Sequence, residues 1–491
     1  MKRFLPGQAS APGLFLALLV LALLLRVANG ALGSLALDDF HSLHHARAAD
    51  LASFFRVLVQ DNHPPLHFLL VRAARALFGE QAWALRLPAL LAGLGALAFV
   101  WRIGARLACP RARALATLLV ALSSLHLELS SSVRMYALLA LASAGLLAGL
   151  LASLEDGRGP WRVALWTALG LHAHYHFLYV LAALGSATLA LGLSQAHYRA
   201  RLGACLAGFA LGGLVAAPWY GLGFPIQLAH ELPPGGSNAT VLRLFEGFKN
   251  LVFFNASGAG PVLRPLMLAA SALLLVLAPL GLVSTLRRAR QGGRLALPVL
   301  LAAAAFLVPV MTWAAVHVSK RAGFEWRYLA GALPAFCLLA AAEACAEGAF
   351  ARARRAAVLA VSLCALGLAI ANVRDPGEED YRGAAAWILA RATRGDAVVA
   401  ADWQPALFPH ALAWQYYGRL AGAAGVPERL EHTADFSLAD PTRLEGRARV
   451  FCFLRSMKPD CSLLRSLRQT FPVEEVHAFG RSVYVHVFTR T

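Results

Sequence analysis

Hydrophobic positions in this chain fall in blocks of about 20 residues separated by short polar and basic stretches, and a helix of that length crosses a roughly 30 Å hydrocarbon core. The pattern predicts about eleven transmembrane helices, at 13–32, 84–101, 114–127, 134–153, 162–176, 178–194, 202–222, 264–286, 295–315, 328–346 and 356–372. Two of these, 114–127 and 162–176, are short for that thickness. The apolar stretch 64–78 is not counted: it is short, carries Arg72 and Arg75, and places Leu66, Leu69, Leu70, Ala73 and Leu77 on one helical stripe. It reads as an interfacial helix on the outer leaflet. A helix is also expected from Phe40 to Leu58. After Asn372 the pattern changes to mixed and charged. Tyr381 to Thr393 reads as a helix, while Ala397 to Ala401, Arg449 to Leu454 and Ser482 to Phe488 read as strands, giving a soluble α/β domain over 373–491.

Composition sharpens this division. With 58% hydrophobic and 15% charged residues, the 491-residue chain is not a soluble protein. Its formal charge of +18 would suggest nucleic acid in a soluble chain, but the basic residues sit in short loops between apolar blocks, so nucleic acid is disfavoured. Lys2 and Arg3, Arg102 to Arg113, Arg158 and Arg162, Arg199 and Arg201, Arg287 to Arg294, and Arg352 to Arg355 fall on one side, which is therefore the cytoplasm. Arg72, Arg75 and Arg86 count against that assignment. The first apolar block has signal-like flanks, but its run is long for a signal peptide. The expected location is a cell membrane such as the bacterial inner membrane, with the N-terminus cytoplasmic, an outer loop at 33–83 and the C-terminal domain outside. The seven cysteines lack metal-type spacing; of these, only Cys452 and Cys461 are placed to pair.

In this topology Asp38, Asp39, Asp61, His63, Glu128, Arg134, His172, His174, His176, Lys320, Arg321, Glu325 and Arg327 all lie at outer span ends. Ionisable groups near membrane depth are costly unless they face a cavity or a partner. Asp38 and Asp39 read either as a helix N-cap or as a carboxylate base, and adjacent helical residues diverge by about 100°, so one can act while the other caps. Pro64 and Pro65 give the following helix a rigid start. A divalent metal is conceivable at His41, His44, His45 and His63. His172 and His176 share a helical face that His174 does not. The loop 223–263, with Pro233, Pro234 and several phenylalanines, suits either an acceptor gate or a plain linker.

At these residues the chain resembles the GT-C membrane glycosyltransferases, in the branch of the protein O-mannosyltransferases and the lipid A aminoarabinose transferase. The branch's first-loop pattern of an acidic pair, h-P-P-L-y and l-R-l-P is similar to Asp38-Asp39-Phe40-His41-Ser42, His63-Pro64-Pro65-Leu66-His67 and Leu85-Arg86-Leu87-Pro88. Its y-s-q-E-a-R-m-Y resembles Leu129-Ser130-Ser131-Ser132-Val133-Arg134-Met135-Tyr136. Its t-H-Y and R-Y-l-l-p-a-l-P resemble Ala173-His174-Tyr175 and Arg327-Tyr328-Leu329-Ala330-Gly331-Ala332-Leu333-Pro334. The six matches run in family order. Asp39 stands where the family has Glu, and Ser132 where it has an acid, so either Glu128 substitutes or the acceptor is held differently.

The resemblance implies a GT-C fold and transfer of a sugar from a polyprenyl-phosphate donor to a lipid, glycan or protein acceptor on the outer face. It implies Asp38 as general base with Asp39 beside it. Arg134, Lys320, Arg321 and Arg327 are its candidates for the lipid phosphate, and His63, Arg86, Tyr136, His174 and Tyr328 its further substrate-binding candidates. A phosphate leaving group needs cations more than a general acid, and the fixed donor fork of Arg suits it. The rival reading is a polytopic transporter or lipid flippase, which would show repeated halves. No such repeat is visible. A membrane scaffold would not need the acidic pair or the outer arginines.

Overall fold

The computed structural model describes residues 11–490 except 108, 230–238, 254–260, 320–323, 345–346, 349, 375–378, 394, 402–409, 421–427, 433–443, 445 and 456–461. Among the described residues, eight helices are long and apolar enough to cross a membrane, from Pro12–Leu32 near the N-terminus to Ala351–Val373. This is a polytopic helical membrane protein. Three stretches expected as spans form shorter helices instead: Pro110–Leu122 and Trp161–Ala173 with 13 residues each, and Leu333–Ala344 with 12. At about 1.5 Å per residue these reach roughly 18–20 Å, short of a hydrocarbon core. Local chemistry stops each of them. Ser123 ends the first and caps a separate Ser124–Leu129 helix by accepting from the His126 N–H. Extended backbone at His174 ends the second, and a 3-10 turn, Trp326–Gly331, precedes the third.

Contacts divide the chain into two compact units. The first comprises 1–29, 62–67 and 86–372. Its helices approach closely through small residues: a Cβ added to Gly281 of Leu263–Gly292 would meet the Leu339 carbonyl of Leu333–Ala344, its carbon only 2.7 Å away. Backbones packed this tightly are how helices associate without a hydrophobic driving force. Polar side chains in this unit are stitched together. Arg26, 2% exposed within the first apolar helix, donates to Ser130 Oγ at 2.8 Å, to the Ala22 carbonyl at 3.0 Å and to His126 Nδ1 at 2.6 Å. Since guanidinium only donates, Nδ1 of His126 accepts. Glu343 receives bonds from Arg354 and Ser284.

The second unit comprises 30–61, 68–85 and 373–491, so the first loop clusters with the C-terminal segment. Its sheet has five strands, β1 (Ala397–Ala401), β2 (Glu428–His432), β3 (Arg449–Arg455), β4 (Val473–Phe479) and β5 (Val483–Thr489), in the order β2-β1-β3-β5-β4. β1 runs parallel to β2 and β3, whereas β5 is antiparallel to both β3 and β4. Alternation along β3 sorts its side chains onto two faces. Val450, Cys452 and Leu454 share a core with Leu464, Leu467 and Phe471 of the Ser462–Thr470 helix and its end. Phe451 meets Trp387 of the Tyr381–Leu389 helix, ring centroids 6.2 Å apart. That helix stops before the expected Thr393, where Asp396 accepts from the Thr393 N–H at 2.7 Å and pairs with Arg449 at 2.8 Å, making the turn into β1. The strands β2 and β4 were not expected from the sequence, whereas the helix expected after Pro459 is present as Ser462–Thr470. Cys461 lies outside the described residues. Cys109, not foreseen as paired, is disulfide-bonded.

The single helix expected from Phe40 to Leu58 is two helices, Leu37–Ala46 and Leu51–Leu58. Asp50 causes the break: its side chain accepts from the Ser53 N–H at 2.6 Å and starts a new helix. The stretch 64–78 does form a helix, Leu66–Phe78, directly after the two prolines.

Candidate functional site

The expected site residues fall in both units, and each group is built locally. In the second unit, Ala36 is the N-cap of Leu37–Ala46, so Asp38 and Asp39 occupy its second and third positions. Asp39, 3% exposed, turns back to accept from the Ala36 N–H at 3.1 Å. That gives it the capping role and leaves half-buried Asp38 on another side of the helix. The next orphan amide, Leu37 N–H, donates to Glu379 Oε2 at 2.6 Å, and Glu379 Oε1 pairs with Arg455 Nε at 3.1 Å. Phe40 packs edge-on against Tyr381, Tyr416 and Tyr417 at centroid distances of 6.0, 5.5 and 5.8 Å. Burial pushes the Tyr381 hydroxyl well up, and the negative charges of Glu379 and Asp38 act in the same direction. Tyr381 therefore stays a neutral donor within electrostatic reach of Asp38. Glu379, Tyr381 and Arg455 were not anticipated, because nothing in their local sequence marks them.

On the next turn of the same helix His41 and His45 meet Asp61, with Nε2 to Oδ2 distances of 3.6 and 3.3 Å. All three are buried, and their ligand atoms lie within 4.8 Å of one another. Among the described residues this is the group that could hold a metal ion. The histidines differ from those expected, since His44 and His63 are not part of it.

In the first unit, the residues of four separate motifs gather. His174 lies between His63, Tyr136 and Tyr328, with ring centroids 5.7, 5.1 and 6.1 Å away. His176 stacks on Tyr328 at 4.0 Å and 18°. The Arg327 guanidinium lies 5.4 Å over the Tyr136 ring, and Arg134, 6% exposed, is within electrostatic reach of both His174 and Tyr328. The helix expected to run through 176 ends at Ala173, which overturns the shared face of His172 and His176. His172 binds the Ala168 carbonyl at 2.9 Å, while the extended His174 and the following turn bring His174 and His176 together at 5.0 Å. His174 Nδ1 accepts from the His176 N–H at 3.1 Å, so the neutral ring carries its proton on Nε2. That buried Nε2 has no hydrogen-bond partner among the described residues.

A second layer fixes this cluster. Gln227 Nε2 donates to the His63 carbonyl at 3.1 Å while its Oε1 accepts from Tyr175, whose hydroxyl in turn accepts from Trp219 at 3.0 Å. His67 Nε2 donates to the Val133 carbonyl at 3.0 Å, steadying the backbone beside Arg134. Arg86 is 7% exposed within Ala82–Gly104, Glu128 is exposed at the end of Ser124–Leu129, and Ser132 is half-buried. Lys320 and Arg321 lie outside the described residues, as does much of the loop read as an acceptor gate. The arrangement offers two guanidinium groups, an imidazole N–H and tyrosine hydroxyls, a donor set suited to an oxyanion.

Residues 62–220 match the family described as Dolichyl-phosphate-mannose-protein mannosyltransferase, a stretch that holds His63, Arg86, Arg134, Tyr136 and His174. Among solved structures the chain is similar to ArnT from Cupriavidus metallidurans bound to undecaprenyl phosphate, at 15% identity and a TM-score of 0.57, over 97% of this chain and 98% of that one. The apo form of the same protein gives 16% identity and 0.54 with the same coverage. Arabinofuranosyltransferase AftD from Mycobacteria is similar at 14% identity and 0.54, over 97% of this chain and 40% of that one. No curated protein sequence matches the chain.

Proposed function

We propose that this polytopic membrane protein, whose residues 62–220 match the mannosyltransferase family and whose fold is similar to that of ArnT, transfers a sugar from a polyprenyl-phosphate donor to an acceptor on the outer face of the membrane. The observation that carries the reading is the cluster of Arg134, Tyr136, His174, Arg327 and Tyr328, an oxyanion-binding donor set assembled from three distant stretches. The undecaprenyl phosphate bound by the similar ArnT is a ligand of the same chemistry.

In this reading the acceptor hydroxyl oxygen bonds to the sugar's anomeric carbon, and the bond from that carbon to the phosphate oxygen breaks. The electron pair leaves with the lipid phosphate. Arg134, Arg327 and the His174 Nε2–H stabilise the charge that develops there, so no acid is needed on the leaving side. The hydroxyl proton goes to the Asp38 carboxylate, which acts as the general base. Asp39 caps the helix and holds its partner's orientation. The positive-inside rule supports a cytoplasmic N-terminus, with the acidic pair and the domain 373–491 outside, in a membrane such as the bacterial inner membrane. The transmembrane domain, residues 1–372, would then supply the donor site.

The test is incubation of the purified protein with a panel of radiolabelled polyprenyl-phosphate sugars, scoring both sugar transfer and lipid-phosphate release. Turnover of one donor with equal release of the lipid phosphate supports the reading. Absence of both across the panel and across lipid, glycan and protein acceptors rejects it.

A further inference from the structure

His41 and His45 sit one turn apart on Leu37–Ala46, and Asp61 follows the Leu51–Leu58 helix. The side chains of the three are 6% exposed or less. His45 Nδ1 lies 2.9 Å from the His41 carbonyl oxygen. A carbonyl can only accept, so Nδ1 carries a proton and Nε2 of the neutral ring is a lone pair. That lone pair faces Asp61 Oδ2 at 3.3 Å, acceptor against acceptor, and such a contact is repulsive unless a positive charge lies between them.

The distances favour a shared cation over a protonated ring. A charge-assisted hydrogen bond from imidazolium to carboxylate spans roughly 2.7–2.9 Å, whereas the two separations here are 3.3 and 3.6 Å. Nitrogen and oxygen ligands about 2.0–2.1 Å from a tetrahedral metal stand roughly 3.3–3.4 Å from each other. The environment also suits a metal: the His45 ring stacks on Phe68 at 4.5 Å, and its Nδ1–H bond to a carbonyl is the outer contact that orients a ligating histidine.

We propose that His41 Nε2, His45 Nε2 and the Asp61 carboxylate bind one divalent transition-metal ion, zinc being well matched to two imidazole nitrogens and a carboxylate oxygen, in a buried structural site. The ion ties the helix bearing Asp38 to the turn at Asp61, so it positions that helix without touching the reacting atoms. Metal binding stands apart from the proposed transfer reaction; only the consequence for Asp38 rests on that reading.

The full-length protein in detergent, stripped by a chelator, reloaded with zinc and desalted, is expected to retain about one zinc per chain by elemental analysis. Asp61→Asn and His45→Gln should lose it, while His44→Ala should keep it. Cobalt(II) added to the stripped wild-type protein should give the intense visible bands of a low-coordinate site, a readout that needs no variant to fold. Asp38→Asn should bind zinc normally, so a failure of the transferase reading is distinguishable from a failure of this one. Wild-type protein that retains no zinc and shows only the weak spectrum of hydrated cobalt overturns the proposal, leaving an imidazolium–carboxylate pair. Zinc retained equally by the two ligand variants overturns it as well.

Discussion

Glu379 accepts a hydrogen bond from the Leu37 backbone N–H at 2.6 Å across 342 residues of sequence. It thereby places a carboxylate from the C-terminal segment on the first turn of the helix that carries Asp38 and Asp39. A negative charge there is favourable for the helix by about 0.3–1 kcal/mol, and the bond satisfies an amide the helix cannot. Glu379→Ala removes both effects and deprives Arg455 of its carboxylate, whereas Glu379→Gln keeps an acceptor. Expected is a fall in turnover of about tenfold or more for Ala and a smaller one for Gln, since a misaimed base loses proximity. Donor affinity should be unchanged. Equal turnover in Ala and wild type at saturating donor would remove Glu379 from any positioning role.

Asp38→Asn should lower turnover by about 10²- to 10⁴-fold, the usual contribution of a positioned base, with the fold retained because size is conserved. Asp39→Ala should instead act on stability, losing about 0.5–2 kcal/mol with the cap, and Asp39→Asn less. Transfer assays beside thermal unfolding in detergent separate the two roles. Near-normal turnover in Asp38→Asn moves the base elsewhere.

Arg327→Lys and Arg134→Lys keep the charge but lose the planar donor fork. Each should weaken lipid-phosphate affinity about 10- to 150-fold, equivalent to roughly 1.5–3 kcal/mol for a charge-assisted hydrogen bond. Titration with a short-chain polyprenyl phosphate in the absence of acceptor measures this directly.

Glu80 ties Arg47 to Arg75. Burial by itself would raise its carboxyl, but hydrogen bonds from the two arginines outweigh burial and bring it down to about 2. The unfolded value is roughly 4.3. A depressed carboxylate contributes stability that is complete above that unfolded value and is lost as pH falls through about 2. Hydrogen exchange around Gly79 should therefore be indifferent to this group from neutral pH to about pH 5, and Glu80→Gln should weaken protection across that range. A wild-type loss of protection centred near neutral pH would assign the transition to another group.

The proposed orientation requires a reporter fused after Asn372 to read outside and one fused after Arg355 to read cytoplasm. Opposite signals would mean that Leu66–Phe78 crosses the membrane or that one of the three short helices does not, and either reverses the loops that follow it.

Much of the architecture was legible along the chain because spanning a membrane requires only length and apolar composition, properties of a contiguous segment. The change of pattern after Asn372 marked the α/β segment for the same reason, and motif order alone named Asp38, Arg134, His174 and Arg327. What tertiary structure decided depends on long-range contacts and local breaks. Asp39 rather than Asp38 takes the cap because Ala36 starts the helix. His174 joins His176 because helix ends at Ala173, against a pattern that read through it. Asp61, rather than His44 or His63, completes the group with His41 and His45 because Asp50 breaks the expected helix and starts a second one. Glu379 reaches Leu37 only after both ends of the chain have folded, and periodicity carries no record of which distant carboxylate will meet an orphan amide.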